Sequence, residues 1–140
     1  MRANIGERME IIITEWALDA YLDLKSRVAF TGEQYKKTMR PDVMRLKNYP
    51  NDTKFSVQQF WSIAECPPGQ KIQDGFKMKW DKMGNGRVEI RLPVGLLKHA
   101  FLCEAYVKEN PKYEQRRLAR FKTHLQLIRQ GVYTERGRLS

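Results

Sequence analysis

Cysteine and histidine are scarce in this 140-residue chain, which has two of each. Cys66 and Cys103 stand far apart and form no CxxC pair. That spacing excludes a disulfide scaffold and a cysteine-rich zinc site, and it suits a reducing compartment. With only His99 and His124 available, a multi-histidine metal centre is not expected either. We therefore expect a protein that works without a metal or any other cofactor.

Long hydrophobic runs are also missing. No apolar stretch approaches the roughly 18 residues that a membrane span requires. Residues 1–8 lack the apolar core of a secretory signal. The hydrophobic share of 41% and the charged share of 30% are typical of a folded domain rather than a disordered chain. The sequence therefore predicts a single domain over residues 1–140, located in the cytoplasm and without a membrane partner.

Positive charge is in excess, and it is unevenly distributed. The formal net charge is +10, from 26 Lys and Arg against 16 Asp and Glu. Residues 1–70 hold 10 basic and 9 acidic side chains, whereas residues 71–140 hold 16 and 7. A basic region of this kind attracts polyanions and accelerates encounter with them. We therefore expect a nucleic acid, or another acidic partner, to bind the second half.

Local signals predict one strand and two helices at the start of the chain. Met9–Ile13 is rich in β-branched residues and predicts a strand. Thr14 then offers a hydroxyl to cap a helix, and Thr31 with Gln34 forms a second capping signature. Pro41 removes a helical donor, so we expect the second helix to be kinked or split there.

Residues 51–70 are the least predictable part of the chain. Their aromatic and apolar side chains fit either a short helix starting after Ser56 or a strand. Cys66-Pro67-Pro68-Gly69 is expected to form a rigid loop. We treat residues 51–70 as an insert between the helices and the rest of the fold.

The second half predicts three antiparallel strands. Gly75–Asp81 and Arg87–Leu92 alternate apolar and polar side chains, and Gly84-Asn85-Gly86 between them is typical of a hairpin turn. Pro93 is expected to end the second strand of this hairpin. Ala100–Lys108 is longer and more apolar, which predicts a central third strand.

A helix is expected to close the domain. Asn110 can cap it, and Pro111 suits its first position. Gly131 ends it, and residues 131–140 are expected to form a flexible tail. The predicted fold class is α+β: an N-terminal strand and two helices, an antiparallel sheet of about four strands and a C-terminal helix, with the core over residues 9–130.

Alternation predicts two distinct faces for this sheet. We expect one face to be apolar and covered by helices, with Phe101, Cys103, Ala105 and Val107 contributed by the third strand. The other face is expected to be open and polar. Its predicted members are Lys77, Lys79, Arg87, Glu89, Arg91, Leu102, Glu104, Tyr106 and Lys108.

The polar face has the residue types that metal-free RNA cleavage requires. A base must take the 2′-hydroxyl proton, cations must hold the phosphate, and an acid must protonate the leaving oxygen. Glu89 or Glu104 is the candidate base, Arg87 and Arg91 can clamp the phosphate, and Tyr106 or a lysine of lowered pKa is the candidate acid. Tyr106 can equally stack on a base. The alternative is an ordinary solvated sheet face with cross-strand ion pairs.

The C-terminal helix is expected to extend the phosphate-binding surface, the alternative being a solvated basic face. Its predicted RNA-binding residues are Lys112, Arg116, Arg117 and Arg120.

Several segments resemble the RelE/ParE superfamily of bacterial toxins, most closely its HigB and phage Gp49-like branch. The short strand leading into Trp16–Leu22 is similar to the family's opening, and Gly75–Trp80 resembles its second strand. Gly86-Arg87-Val88 resembles its aromatic-Arg-Val step. Ala100–Lys108, followed by Asn110-Pro111-Lys112, resembles an apolar strand before a proline-started basic helix. The likeness covers roughly residues 9–130 and leaves residues 51–70 unmatched.

The resemblance implies a RelE-like fold and a bacterial or phage-encoded toxin that cleaves mRNA, often on the ribosome, and is neutralised by a cognate antitoxin. It places Arg87 on the family's commonly functional arginine, and Tyr106 and Lys108 on positions that tend to face RNA. Lys77, where the family is often acidic, and Gly86, in place of its aromatic, depart from the pattern. Two alternatives remain: a ParE-like toxin that acts on DNA gyrase, and a nucleic-acid-binding module without catalysis.

Overall fold

The computed structural model describes residues 9–66 and 69–140. Within them, helices pack on both faces of a seven-stranded mixed sheet, so the predicted α+β class is confirmed. The expectations for residues 1–8 and for Pro67-Pro68 lie outside the described residues. None of the helices in the described residues is long and apolar enough to cross a membrane.

The predicted capping residues begin their helices as expected. After β1 (Ile11–Thr14), the Thr14 hydroxyl accepts a hydrogen bond from the backbone N–H of Ala17. Thr31 and Gln34 form a reciprocal capping box. The elements that follow β1 are α1 (Glu15–Ser26), α2 (Gly32–Gln34), a π-turn (Tyr35–Met39), α3 (Arg40–Met44) and two 3₁₀ turns (Arg45–Asn48 and Thr53–Ser56).

The proline in the second helical region causes a change of helix type rather than a break. The π-turn ends at Met39, two residues before Pro41, and the Arg40 N–H donates to the Tyr35 carbonyl five residues earlier. Widening the helix by one residue here accommodates a proline that has no N–H of its own.

The rest of the chain supplies the sheet and one long helix. Asn110 caps that helix through a hydrogen bond from the Tyr113 N–H, as predicted. The elements are β2 (Trp61–Cys66), β3 (Gln70–Met83), β4 (Val88–Leu96), β5 (Ala100–Leu102), β6 (Tyr106–Val107), α4 (Pro111–Arg129) and β7 (Glu135–Leu139).

The sheet is larger than the antiparallel sheet of about four strands that the sequence predicts. Its strand order is β2-β3-β4-β5-β1-β7, and β6 pairs with β4 beside β5. β1 runs parallel to β5 and antiparallel to β7. This topology corrects two predictions made from the sequence. The insert predicted over residues 51–70 contains β2, an edge strand, and the flexible tail predicted over residues 131–140 contains β7, the other edge.

Pro93 does not end its strand, contrary to expectation. It is buried inside β4, and its carbonyl accepts a hydrogen bond from the Cys103 N–H. The N–H and C=O of one strand residue point to the same side, so the donor that proline lacks would also point toward Cys103. That is where β5 ends and the chain leaves the ladder until β6. The missing N–H of Pro93 therefore removes no hydrogen bond from the sheet.

The irregular residues 103–105 interrupt the predicted third strand. The predicted faces are wrong for Phe101, Leu102 and Cys103 but correct for Tyr106 and Val107. Leu102 pairs with Val94 on the face covered by α1, whereas Phe101 lies on the α4 side. After the interruption, Tyr106 pairs with Arg91 on the α4 side. Uninterrupted alternation over residues 100–108 predicts Phe101 and Cys103 on the α1 side and Leu102 on the α4 side, and the interruption is why these three lie on the opposite sides.

Two apolar clusters result, one on each side of the sheet. The larger packs α1 and the residues around the π-turn against β3 and β4. The smaller packs α4 against β1, β3 and β5 through Leu118, Phe121, Leu125 and Ile128. The sheet face predicted to be open is therefore covered over much of its area by α4. Near the start of α4 part of this face remains accessible.

Candidate functional site: a groove between β2 and α4

The accessible part of this sheet face is a groove of about 680 Å³ between the edge strand β2 and the first turns of α4. Lys77 and Lys79 form its floor from β3, because alternate residues of one strand share a face. Leu118 adds an apolar side chain, and Trp61 and Ile63 also border the groove, although the Trp61 ring packs against Phe76 on the other face of the sheet. The polar residues on its sides are Ser56, Gln58, Ser62, Glu65, Glu114 and Gln115.

A carboxylate in the first turn of α4 organises the groove. The buried Tyr106 hydroxyl donates to Oε2 of Glu114 at 2.7 Å, and Lys77 Nζ lies 3.6 Å from the same oxygen. Burial acts to raise the pKa of Glu114. The Tyr106 hydrogen bond and the charges of Lys77, Lys108 and Arg91 act in the opposite direction, and the net shift is downward. The net shift favours the ionised form, so Glu114 is held as a carboxylate in the groove.

Tyr106 is not available for the roles expected of it. It is only 1% exposed, which prevents stacking on a nucleobase. Burial, and then the hydrogen bond to Glu114, raises the pKa of its hydroxyl. A phenol in this setting is a poor proton donor to substrate, so Tyr106 serves to position Glu114.

Lys79 is the cation in the groove without a carboxylate partner among the described residues. Partial burial, and then the nearby charges of Lys77 and Arg91, lowers the pKa of its ammonium group. A half-buried ammonium of lowered pKa gives up a proton more readily than a solvated lysine. It can also place an uncompensated positive charge on an anion that enters the groove.

Arg91, the expected phosphate clamp, is already engaged. It is 6% exposed, and Nη1 lies 2.9 Å from Asp81 Oδ1 while Nη2 lies 3.4 Å from Glu89 Oε1. Two carboxylates neutralise this guanidinium. Glu89 is correspondingly committed to Arg91 and lies outside the groove lining.

Glu104 belongs to a second ionic cluster, farther along α4. Its carboxylate accepts from Arg117 Nη2 at 2.8 Å and from Arg120 Nη1 at 3.2 Å. This cluster fixes the break between β5 and β6 against the helix. One of the two candidate bases, Glu104, is thus neutralised by two of the predicted RNA-binding arginines, Arg117 and Arg120.

The other predicted residues lie around the site rather than in it. Arg87 is exposed in the β3–β4 turn, four residues before Arg91 on the chain. Lys108 is exposed after β6, and its N–H donates to the Glu89 carbonyl. Lys112 and Arg116 are exposed near the start of α4. These last three cations flank the groove, whereas Arg87 marks the tip of the hairpin.

Glu114, the carboxylate beside Lys77, is not among the residues predicted from the sequence. An acidic residue in the first turn of a helix is ordinarily explained by the helix dipole. The available signal was its isolation, since Glu114 is the one acidic residue of α4. Its contact with Tyr106 depends on how α4 packs, which local sequence does not encode.

Neither metal-ligand geometry nor known relatives define this site. Among residues 9–66 and 69–140, no three His, Cys, Asp or Glu side chains converge as metal ligands would. Comparisons with protein-family models, with curated proteins and with solved structures yield no match.

Proposed function

We propose that this protein is a toxin-like endoribonuclease that binds single-stranded RNA in the groove between β2 and α4. The observation that supports this most directly is Lys79, an ammonium without a carboxylate partner in the described residues, close to the Glu114–Lys77 pair. The RelE-like order of strand, helices, sheet and basic C-terminal helix is consistent with the proposal. The additional strands β2, β6 and β7 are features of this chain.

The proposed reaction is metal-free cleavage by the neighbouring 2′-hydroxyl. Glu114 accepts the 2′-hydroxyl proton, the 2′-oxygen attacks phosphorus, and the bond from phosphorus to the 5′-oxygen breaks. Lys77 and Lys79 stabilise the charge that develops on the phosphoryl oxygens. Lys79 then donates a proton to the leaving 5′-oxygen. The products are a cyclic 2′,3′-phosphate and a 5′-hydroxyl.

The partners follow from this role. The substrate is mRNA, free or on the ribosome, and the surrounding cations Lys108, Lys112 and Arg116 extend contacts along its backbone. A cognate antitoxin is expected to cover the groove. The protein would then act in the bacterial cytoplasm.

The proposed role of the Lys79 charge in RNA cleavage can be tested directly. We expect Lys79→Met to lower the cleavage rate of a fluorescein-labelled single-stranded RNA by at least about 100-fold, the range of a lost general acid. Lys98→Met is the matched control, because Lys98 is an exposed lysine after β4 that does not line the groove. It removes the same charge and should change the rate less than about twofold. Replacing the substrate with 2′-O-methyl RNA should abolish cleavage.

A non-catalytic RNA-binding module is the second candidate, favoured because Arg91, the expected phosphate clamp, is already paired with Asp81 and Glu89. Fluorescence anisotropy separates the two. Binding that weakens steeply with salt and depends on Lys79, without any cleavage, would support the module. RNA binding that does not change with salt concentration, or no RNA binding at all, would refute both the endoribonuclease and the binding module. Growth arrest with intact mRNA would instead indicate the gyrase-directed alternative.

A further inference from the structure

The face of the sheet opposite the groove contains an apolar cavity of about 210 Å³. It lies between α1, the π-turn and the strands β1, β3, β4 and β5. Tyr21, Phe30, Tyr35 and Trp80 supply an aromatic wall, and Ala17 and Leu92 line it as well. Protein interiors seldom leave a void much larger than a water molecule, and a void lined by apolar side chains stays dry. The lining of this cavity therefore suits a small molecule with an apolar part.

The π-turn shapes the open side of this cavity. Tyr35 and Met39 from the turn, and Arg40 directly after it, all line the cavity. In an α-helix, residues five apart point about 140° away from each other. The wider π-turn, closed by the Arg40 N–H on the Tyr35 carbonyl, brings this pair to one side. Such single π-turns are frequent at functional sites.

Polar groups without a partner accompany the apolar wall. Arg40 is exposed and forms no ion pair with any residue in 9–66 or 69–140. The rings of Tyr21 and Tyr35 lie 5.2 Å apart, and within the same ranges their hydroxyls form no hydrogen bonds to side chains or backbone. A mostly apolar pocket with a few convergent polar groups is the usual form of a small-molecule site.

We propose that this cavity binds a small aromatic carboxylate, with its ring among the aromatic side chains and its carboxylate at Arg40. The size fits, because an apolar cavity of about 150 Å³ accommodates benzene. The additional volume here suits one ring and a short acidic side chain. The site lies on the opposite face of the sheet from the groove and does not depend on the proposed ribonuclease activity.

Phenylacetate is a suitable probe, and phenylacetamide is its neutral match in shape. We expect isothermal titration calorimetry to show phenylacetate binding at least tenfold more tightly than phenylacetamide. Arg40→Gln should remove that preference by weakening phenylacetate about tenfold while leaving phenylacetamide unchanged. Methyl resonances of Met39 and Leu92 should shift on titration, which locates the ligand without any variant.

Ala17→Leu tests the location, since it adds three carbon atoms to the wall of the cavity. We expect it to remove binding of both probes while the melting temperature stays equal or rises, and the melting curve shows that the variant is folded. Equal affinity for the two probes would refute the proposal that the ligand carries a carboxylate. Three results would refute the proposed location. They are shifts of methyl resonances outside the cavity, unchanged affinity of Ala17→Leu for the probes, and no binding of millimolar probe to folded wild-type protein.

Discussion

A buried carboxylate joins the region around the π-turn to the sheet, and removing it should destabilise the fold strongly. Asp42 is 3% exposed, and its oxygens accept from Trp80 Nε1 at 2.9 Å, Lys54 Nζ at 2.7 Å and Arg45 Nε at 2.9 Å. Asp42→Ala leaves the buried Trp80 indole N–H unpaired. It also removes the carboxylate partner of Lys54 and one of the two partners of Arg45, which keeps its ion pair with Asp52.

The magnitude follows from these three contacts. Losing one member of a buried ionic network costs about 3–5 kcal/mol. The low end applies here, because the Lys54 and Arg45 side chains are more than a third exposed and can recover water. We therefore expect the free energy of unfolding to fall by about 3 kcal/mol. With an m-value of about 2 kcal/mol/M, the urea midpoint should fall by about 1.5 M.

Urea denaturation followed by tryptophan fluorescence measures this change, and a double-mutant cycle with Trp80→Phe isolates the indole contact. The coupling should be about 1.5–3 kcal/mol, as for a hydrogen bond to a charged group. Asp23→Ala is a control, because it removes only an exposed ion pair with Arg27 and should leave the midpoint almost unchanged. A midpoint shift below about 0.5 M at constant m-value, or coupling near zero, would refute the structural role assigned to Asp42.

Three further predictions concern packing, the sheet edge and titration. Gly95→Ala should destabilise by about 1–3 kcal/mol in thermal melts, because a Cβ there would overlap the Leu125 side chain. Gly32→Ala, where the new methyl group meets nothing within 4 Å, should be neutral or stabilising. Deleting β7 should lower the melting temperature, and an unchanged value would mean that the strand adds nothing to β1. Tyr106→Phe should raise the pKa of Glu114 in a carboxyl NMR titration, since it removes a hydrogen bond that lowers it. Glu114 stabilises the fold at neutral pH and loses this contribution as pH falls through its lowered pKa, so the variant should lose less stability on acidification.

Features governed by neighbours in the chain were predictable. Thr14, Thr31 and Asn110 cap helices because the hydroxyl or amide reaches an N–H three residues away. The hairpin around Gly84 follows from alternation and a turn that tolerates positive φ. Such signals do not depend on the remainder of the fold.

Features governed by distant partners were not. β7 contains Glu135, Arg136, Gly137 and Arg138, a composition that favours a solvated tail, and it becomes a strand only because β1 offers it an edge. The continuous apolar run through residues 101–103 conceals where alternation is interrupted. The candidate site shows the same limit, because the pairing of Lys77 with Glu114 depends on how α4 crosses the sheet.

The position of β1 has a consequence for biosynthesis. The parallel partner of β1 is β5, and the Thr14 hydroxyl bonds to a carbonyl 88 residues later. Its antiparallel partner, β7, is made later still. At about 5–20 residues per second, an apolar Ile-Ile-Ile segment waits roughly 5–20 s on the ribosome before either neighbour exists. The strand order therefore requires that this segment be shielded during translation. We expect the nascent chain to depend on chaperones mainly in this interval.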